Sequence, residues 1–135
     1  FRGRIVTNVE WRWDAASSSY RRKTGYQNVQ GVSPTPTDHN DANGQPVAPK
    51  NMVIQFTEYV NTGLVDASGE PVPEGKIVGE GEAWIFTEGK VIKGRWKKDS
   101  PEQVTAYTDA NGQPVKLTPG QTWLELPKPG TATIF

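Results

Sequence analysis

An all-β fold is predicted, mainly antiparallel, closing as a barrel-like sheet or a sandwich with long Pro/Gly-rich loops and at most one short helical turn. Three observations predict it. The 135 residues include 14 glycines and 11 prolines, with strand-forming runs between them. Two stretches, Val9–Asp14 and Gly79–Lys98, alternate apolar and polar residues with a period of two. One turn sequence recurs: DANGQPV at Asp41–Val47 and again at Asp109–Val115, and DASGEPV at Asp66–Val72. In it Asp accepts backbone hydrogen bonds, Gly takes a positive φ, and Pro-Val restarts an extended strand.

Taken in order, Phe1–Thr7 is a candidate edge strand. Val9, Trp11 and Trp13 share one side of the next strand, and Glu10, Arg12 and Asp14 the other. A connection over Ala15–Ser18 leads to a return strand over Ser19–Thr24. With Asp14 facing Ser19, Trp13 faces Tyr20 and Trp11 faces Arg22, which places an arginine beside an indole. Gly25–Lys50 is loop-like and holds the sole histidine, His39. Asn51–Val60 reads as a central strand, because Met52-Val53-Ile54 is continuously apolar. Asn61–Pro73 is rich in turn residues.

Lys76–Lys98 is the strongest element. Glu88-Gly89 is a two-residue turn, so Thr87 faces Lys90 and every later pair is fixed. Glu82 then faces Arg95, Glu80 faces Lys97, Trp84 faces Lys93, and Trp96 covers Gly81. Ser100-Pro101-Glu102-Gln103 has a capping-box pattern and predicts one helical turn. Val104–Tyr107, Val115–Leu117 and Thr122–Leu126 complete the strands, with Thr131–Phe135 as a further edge candidate.

The chain is long enough for one ordinary core and is taken as a single β-rich domain over residues 1–135. With 15 basic and 15 acidic residues its net charge is zero, which argues against broad binding of nucleic acid or of an anionic membrane. No apolar run can span a bilayer, so no membrane insertion of this domain is expected. Without cysteine there is no disulfide framework and no thiol chemistry. The first residue is Phe1, with neither methionine nor a signal-like segment, as in a fragment or a processed product.

Catalytic patterns are weak. A triad would have to use His39, and no G-x-S-x-G stretch accompanies it. One histidine and no cysteine cannot make an ordinary zinc site. The Asp-x-Asn-Gly turns offer too few oxygens for calcium and lack a closing glutamate. Gly79-x-Gly81 lies within a strand and is not followed by a phosphate-cradling helix. Paired carboxylates could come from Asp38, Asp41, Glu80 and Glu82, but the last two have cross-strand partners. No cofactor and no metal are expected.

The order VEWRWD, Y-x-R (Tyr20, Arg22), H-x-D (His39, Asp41), NMVIQF, G-x-G (Gly79, Gly81), EGKVIKGRWKK and TDANGQPVKLTPGQTWLEL resembles the C-terminal domain of the YerB-like lipoproteins, a family of unknown function. The likeness runs over nearly the whole chain, and its most specific part is the last motif. The extra turn copy between Asn61 and Lys76 and the first strand depart from the pattern. The resemblance implies an extracytoplasmic, membrane-anchored parent in the bacterial cell envelope, with this chain as its C-terminal domain. It brings no reaction.

Two function classes follow. The first is a non-catalytic module that binds its own N-terminal domain, an envelope protein or a cell-wall polymer. The second is an envelope hydrolase or transferase using His39, Asp41 and Arg22. The first is favoured by the five tryptophans and four tyrosines. The candidate binding residues are Tyr20, Arg22, His39 and Asp41, together with Trp96 and Lys98 of the G-R-W-K-K motif. The loop carrying His39 is expected to fold over the end of the first hairpin and bring His39 and Asp41 together with Arg22 above the aromatic side of that hairpin.

Overall fold

The computed structural model describes residues 6–27, 35–67 and 69–135. Phe1–Ile5 of the candidate edge strand lie outside them. Every regular element among the described residues is a strand, in three sheets, and none closes into a barrel. The chain forms two compact units. The first comprises Phe1–Asn51, Thr87–Gly89 and Thr118–Thr122, and the second Met52–Phe86, Lys90–Leu117 and Trp123–Phe135.

In the first unit, β1 (Val6–Asp14), β2 (Ser19–Gln27) and β3 (Thr37–Asp38) form a sheet in that order. Asp14 builds the turn between β1 and β2. Its carboxylate accepts from Ser17 Oγ at 2.7 Å and from the Ala16 amide at 3.1 Å. These bonds, the Ser17 one foremost, hold its pKa below the ordinary value. The register is the one expected, with Trp11 across from Arg22, Trp13 from Tyr20 and Asp14 from Ser19. Trp13 and Tyr20 pack with ring centroids 4.8 Å apart. Buried Asn51 satisfies both ends of its amide. Oδ1 accepts from Thr87 Oγ1 (2.8 Å) and the Thr118 amide (3.0 Å), while Nδ2 donates to the Thr118 carbonyl (2.8 Å) and Thr122 Oγ1 (3.2 Å). A buried amide this fully paired fixes the strand ends it joins.

The second unit holds most of the main sheet. It contains β4 (Asn51–Gln55), β7 (Gly79–Thr87), β8 (Lys90–Lys98), β9 (Ala106–Asp109) and β10 (Thr122–Glu125), in the order β10-β4-β7-β8-β9. Its core is Val53, Ala83, Ile85 and Trp96, with Ile92, Tyr107 and Val115 against it. Glu88 and Gly89 both have positive φ, 50° and 72°, as a two-residue turn matching strand twist requires. A side chain on Gly81 would put its Cβ 2.6 Å from Trp96 Nε1, so the indole does lie over that glycine. Lys93 sits 4.8 Å from the Trp84 ring centroid.

The expected ion pairs are replaced by others. Arg95 reaches Glu80 at 3.2 Å, Lys97 pairs with Asp99 at 3.2 Å, and Glu82 accepts from Trp84 Nε1 at 2.6 Å. Glu80 is the diagonal neighbour of Arg95, and long side chains span the diagonal as readily as the direct pair.

Four further expectations are corrected. Asn51–Val60 is not one strand. The Phe56 and Thr57 amides turn to the carbonyls of Glu82 and Pro127, and a separate hairpin of β5 (Tyr59–Val65) and β6 (Pro71–Gly75) begins at Tyr59. By contrast, Ser100–Gln103 makes the single turn expected of it, closed by Gln103 N to Ser100 O (3.2 Å). Val115–Leu117 and Thr131–Phe135 are not strands. The strand predicted from Val104 is displaced to Ala106–Asp109.

The three turn copies share one construction. The amide of the leading Asp (41, 66, 109) bonds the carbonyl of the residue four later, and the Gly amide bonds the Asp carbonyl at 3.0 Å in each. Oδ1 of Asp41, Asp66 and Asp109 accepts the amide of Gln45, Glu70 and Gln113 respectively. Gly44, Gly69 and Gly112 have φ of 75°, 81° and 77°.

Candidate functional site

The copies at Asp41 and Asp109 sit at the end of the same three-strand arrangement, a long hairpin followed by a short antiparallel strand. In the first unit Lys23 pairs with Asp38 and the His39 amide donates to the Arg22 carbonyl at 2.9 Å. In the second, Lys97 pairs with Ala106 and Trp96 with Tyr107. The turn then closes back on the same position, Val47 N to His39 O at 2.8 Å and Val115 N to Tyr107 O at 3.0 Å. Position by position, the row Trp11–Arg22–His39 across β1, β2 and β3 therefore corresponds to Gly81–Trp96–Tyr107 across β7, β8 and β9.

The two rows are filled differently. In the second unit Trp96 is 3% exposed and donates to the Phe56 carbonyl at 3.0 Å, and the Tyr107 hydroxyl bonds Gln55 Oε1 at 2.9 Å. Burial raises the Tyr107 pKa. In the first unit Arg22 and His39 are half-buried. The guanidinium carbon lies 5.9 Å from the Trp11 ring centroid, and Nη1 donates to Thr24 Oγ1 at 2.6 Å. The same hydroxyl is 3.4 Å from His39 Nδ1. Arg22, Thr24 and His39 thus form one polar chain alongside an indole.

The other candidate residues are placed as follows. Tyr20 is 4% exposed, and its hydroxyl accepts the Gly89 amide at 3.0 Å. Burial raises its pKa, and the amide bond works the other way. Asp41 Oδ1 receives the amides of Asn43 (2.8 Å) and Gln45 (2.9 Å), as Asp109 Oδ1 receives those of Asn111 and Gln113. Half-buried Lys98 contributes to lowering the Glu102 pKa, after the hydrogen bond from Ser100 that dominates it. Trp96 also lines a cleft of about 280 Å³ in the second unit with Phe56, Glu58, Lys76, Val78 and Glu82. Glu58 there pairs with Lys76 at 3.7 Å.

The structure brings Arg22 and His39 together, and it adds Trp11 and Thr24, which sequence reasoning had not counted among the site residues. The signal was available: aligning the two DANGQPV copies and counting back along the hairpins gives the row. Among the described residues no group of three or more His, Asp or Glu is placed to hold a metal ion.

Residues 3–124 match the family described as "Protein of unknown function (DUF3048) C-terminal domain". No curated protein matches the chain significantly. Among solved structures the chain is similar to the YerB protein from Bacillus subtilis, with a TM-score of 0.60 and 25% identity over 87% of this chain. The matched region covers 35% of the YerB chain, so this chain spans about a third of that protein.

Proposed function

Since the chain belongs to the family of DUF3048 C-terminal domains, we propose that it is a non-catalytic binding module of a larger, membrane-anchored extracytoplasmic bacterial protein. One observation carries the reading. The same three-strand scaffold is used twice, and where one copy buries an aromatic pair the other holds Arg22 and His39 half-buried beside Trp11. A fold stabilised by aromatic burial at those positions has no packing need for a cation and an imidazole. A half-buried arginine on an indole, with hydroxyl and imidazole alongside, suits recognition of a polar partner. Support for a binding role over a hydrolase or transferase comes from Asp41. Its carboxylate serves the turn as Asp109 does, and the Asp109 copy has a tyrosine in place of the histidine.

The partner is the N-terminal domain of the parent protein, an envelope protein or a cell-wall polymer. The N-terminal domain is supported by the much greater length of the YerB chain. The test is calorimetric titration of the chain with the N-terminal domain of its parent, and sedimentation with purified cell wall. Arg22→Ala and His39→Ala are expected to weaken binding by about tenfold or more, as for contact residues. The melting temperature should shift by no more than about 4 °C. Unchanged binding in both variants would overturn the reading.

A further inference from the structure

We infer that the cleft beside β7 takes an extended peptide segment of a partner protein, which adds to β7 at Glu80 and places a lysine opposite it. The inference concerns the second unit and is independent of the Arg22–His39 row. The first ground is the backbone. The two-residue turn at Glu88-Gly89 sets which groups of β7 bond β8. Gly81, Ala83 and Ile85 turn their N–H and C=O to β8, and Glu80, Glu82 and Trp84 turn theirs to the β4 side. Glu82 O accordingly accepts the Phe56 amide at 3.1 Å. Beyond Phe56 the chain leaves the sheet: the Thr57 amide donates to Pro127 O at 2.9 Å, and Glu58 O accepts the Lys76 amide at 2.8 Å. Among the described residues no strand pairs with β7 on that side past Phe56. Glu80 thus turns a donor and an acceptor into the cleft, as a sheet edge that admits an added strand does.

The second ground is room. A side chain on Gly79 would meet nothing within 4 Å, and the cleft of about 280 Å³ is walled by Phe56, Val78 and Pro129. That is below the roughly 300–1,000 Å³ of a drug-sized pocket, and suits one side chain on a short backbone. The third ground is charge. Glu58, Glu80 and Glu82 line the cleft. Glu58 is met by Lys76 at 3.7 Å and Glu80 by Arg95 at 3.2 Å, while Glu82 is met by the neutral Trp84 Nε1 at 2.6 Å. Among the described residues no cation pairs with Glu82, so one negative charge is left over. The carboxylates do not converge on a metal ion, since no group of three or more is placed to hold one among the described residues. A residue added opposite Glu80 carries its side chain on the face of Glu80 and, diagonally, of Glu82. A lysine there supplies the missing charge.

The experiment is an NMR titration of the ¹⁵N-labelled chain with the peptide acetyl-Thr-Val-Lys-Val-Thr-amide. Saturable shifts are expected at the amides of Gly79, Glu80, Gly81 and Glu82, with slowed hydrogen exchange at Glu80. Methylating the backbone nitrogen of the peptide's lysine removes the donor to Glu80 O and should weaken binding about tenfold. Replacing that lysine by glutamate, or Glu82→Gln in the protein, should weaken it about threefold. Glu70→Gln, in the turn between β5 and β6, should leave it intact. Butylamine, which carries the ammonium without a backbone, should leave the Glu80 amide unmoved. The ¹H–¹⁵N spectrum of each variant checks that it is folded, and the altered peptides test the inference on the unaltered protein. No saturable response, equal binding of the methylated peptide, or a butylamine response matching the peptide's would each overturn the strand addition. Equal binding of the glutamate peptide, no loss in Glu82→Gln, or equal loss in Glu70→Gln would overturn the choice of a lysine. These outcomes leave the Arg22→Ala and His39→Ala tests of the first unit unaffected, so the two readings fail separately.

Discussion

The two rows differ in which strand supplies the indole. In the second unit the middle strand carries Trp96 and the hairpin partner is Gly81, so the ring comes against bare backbone and is sealed at 3% exposure. In the first unit the edge strand carries Trp11 and the middle strand carries Arg22. Two large side chains face each other there, neither can be fully covered, and a charged head stays within reach of water. The same backbone thus makes a packed core in one case and a polar face in the other. A strand row is a set of positions, and the size of the residue opposite decides whether an aromatic is buried or displayed.

The largest expected effect is the contrast between Trp96→Ala and Arg22→Ala. Trp96→Ala should cost about 3–5 kcal/mol, the usual loss for deleting a buried aromatic. Arg22→Ala should cost roughly 0.5–1 kcal/mol, since it removes stacking and one hydrogen bond at a half-buried position. Urea titrations of both variants measure the difference, and similar losses would break the comparison.

Next comes Gly81→Val. Its Cβ alone would stand 2.6 Å from Trp96 Nε1, so the indole must shift and give up its bond to the Phe56 carbonyl. Overpacking of this kind costs roughly 1–3 kcal/mol. Retention of wild-type stability would show that the indole has another place to go.

The turns should behave alike where the rows do not. Asp41→Ala and Asp109→Ala each remove two carboxylate–amide bonds of near-identical length. Each should cost about 1 kcal/mol, as for loss of a capping side chain. A loss confined to one copy would mean that its aspartate has a second duty. Calcium should leave the melting temperature unchanged, because the turn amides already use the oxygen a cation would need.

The smallest effect is alkaline. Burial raises the pKa of one tyrosine in each unit among the described residues, Tyr20 and Tyr107, above 10.0. The folded state favours the neutral phenol, so this stability is fully present below the unfolded value near 10.0 and is lost as pH rises through the folded one. Melting temperatures above about pH 9 should fall less steeply in Tyr107→Phe than in the wild type. An unchanged alkaline slope would show that this phenol is not protected.

Short-range features were legible in the sequence. Both long hairpins have the register their loops dictate, with Trp11 across from Arg22 and Trp96 over Gly81. The three turns needed nothing beyond Asp, Gly and Pro at fixed offsets. What was misread depended on partners far along the chain. Met52-Val53-Ile54 suggested one long strand, but the Phe56 and Thr57 amides find acceptors at Glu82 and Pro127. The third turn copy joins β5 and β6, which pair directly across it at Val65 and Pro71, whereas the other two copies have only an isolated bridge at their proline. The polar pair Arg22–His39 was anticipated from the loop following β2, whereas Thr24, which links the two side chains, was not.

By itself, the sequence determined the all-β class, the turn geometry and the faces of the two main hairpins, because these depend on φ preferences and a period of two. The tertiary structure alone decided where the middle of the chain bends, which predicted strands find a ladder partner, and which carboxylate each cation meets. Those outcomes are settled by competition among acceptors distant in sequence, and a backbone amide carries no mark of which carbonyl will win it.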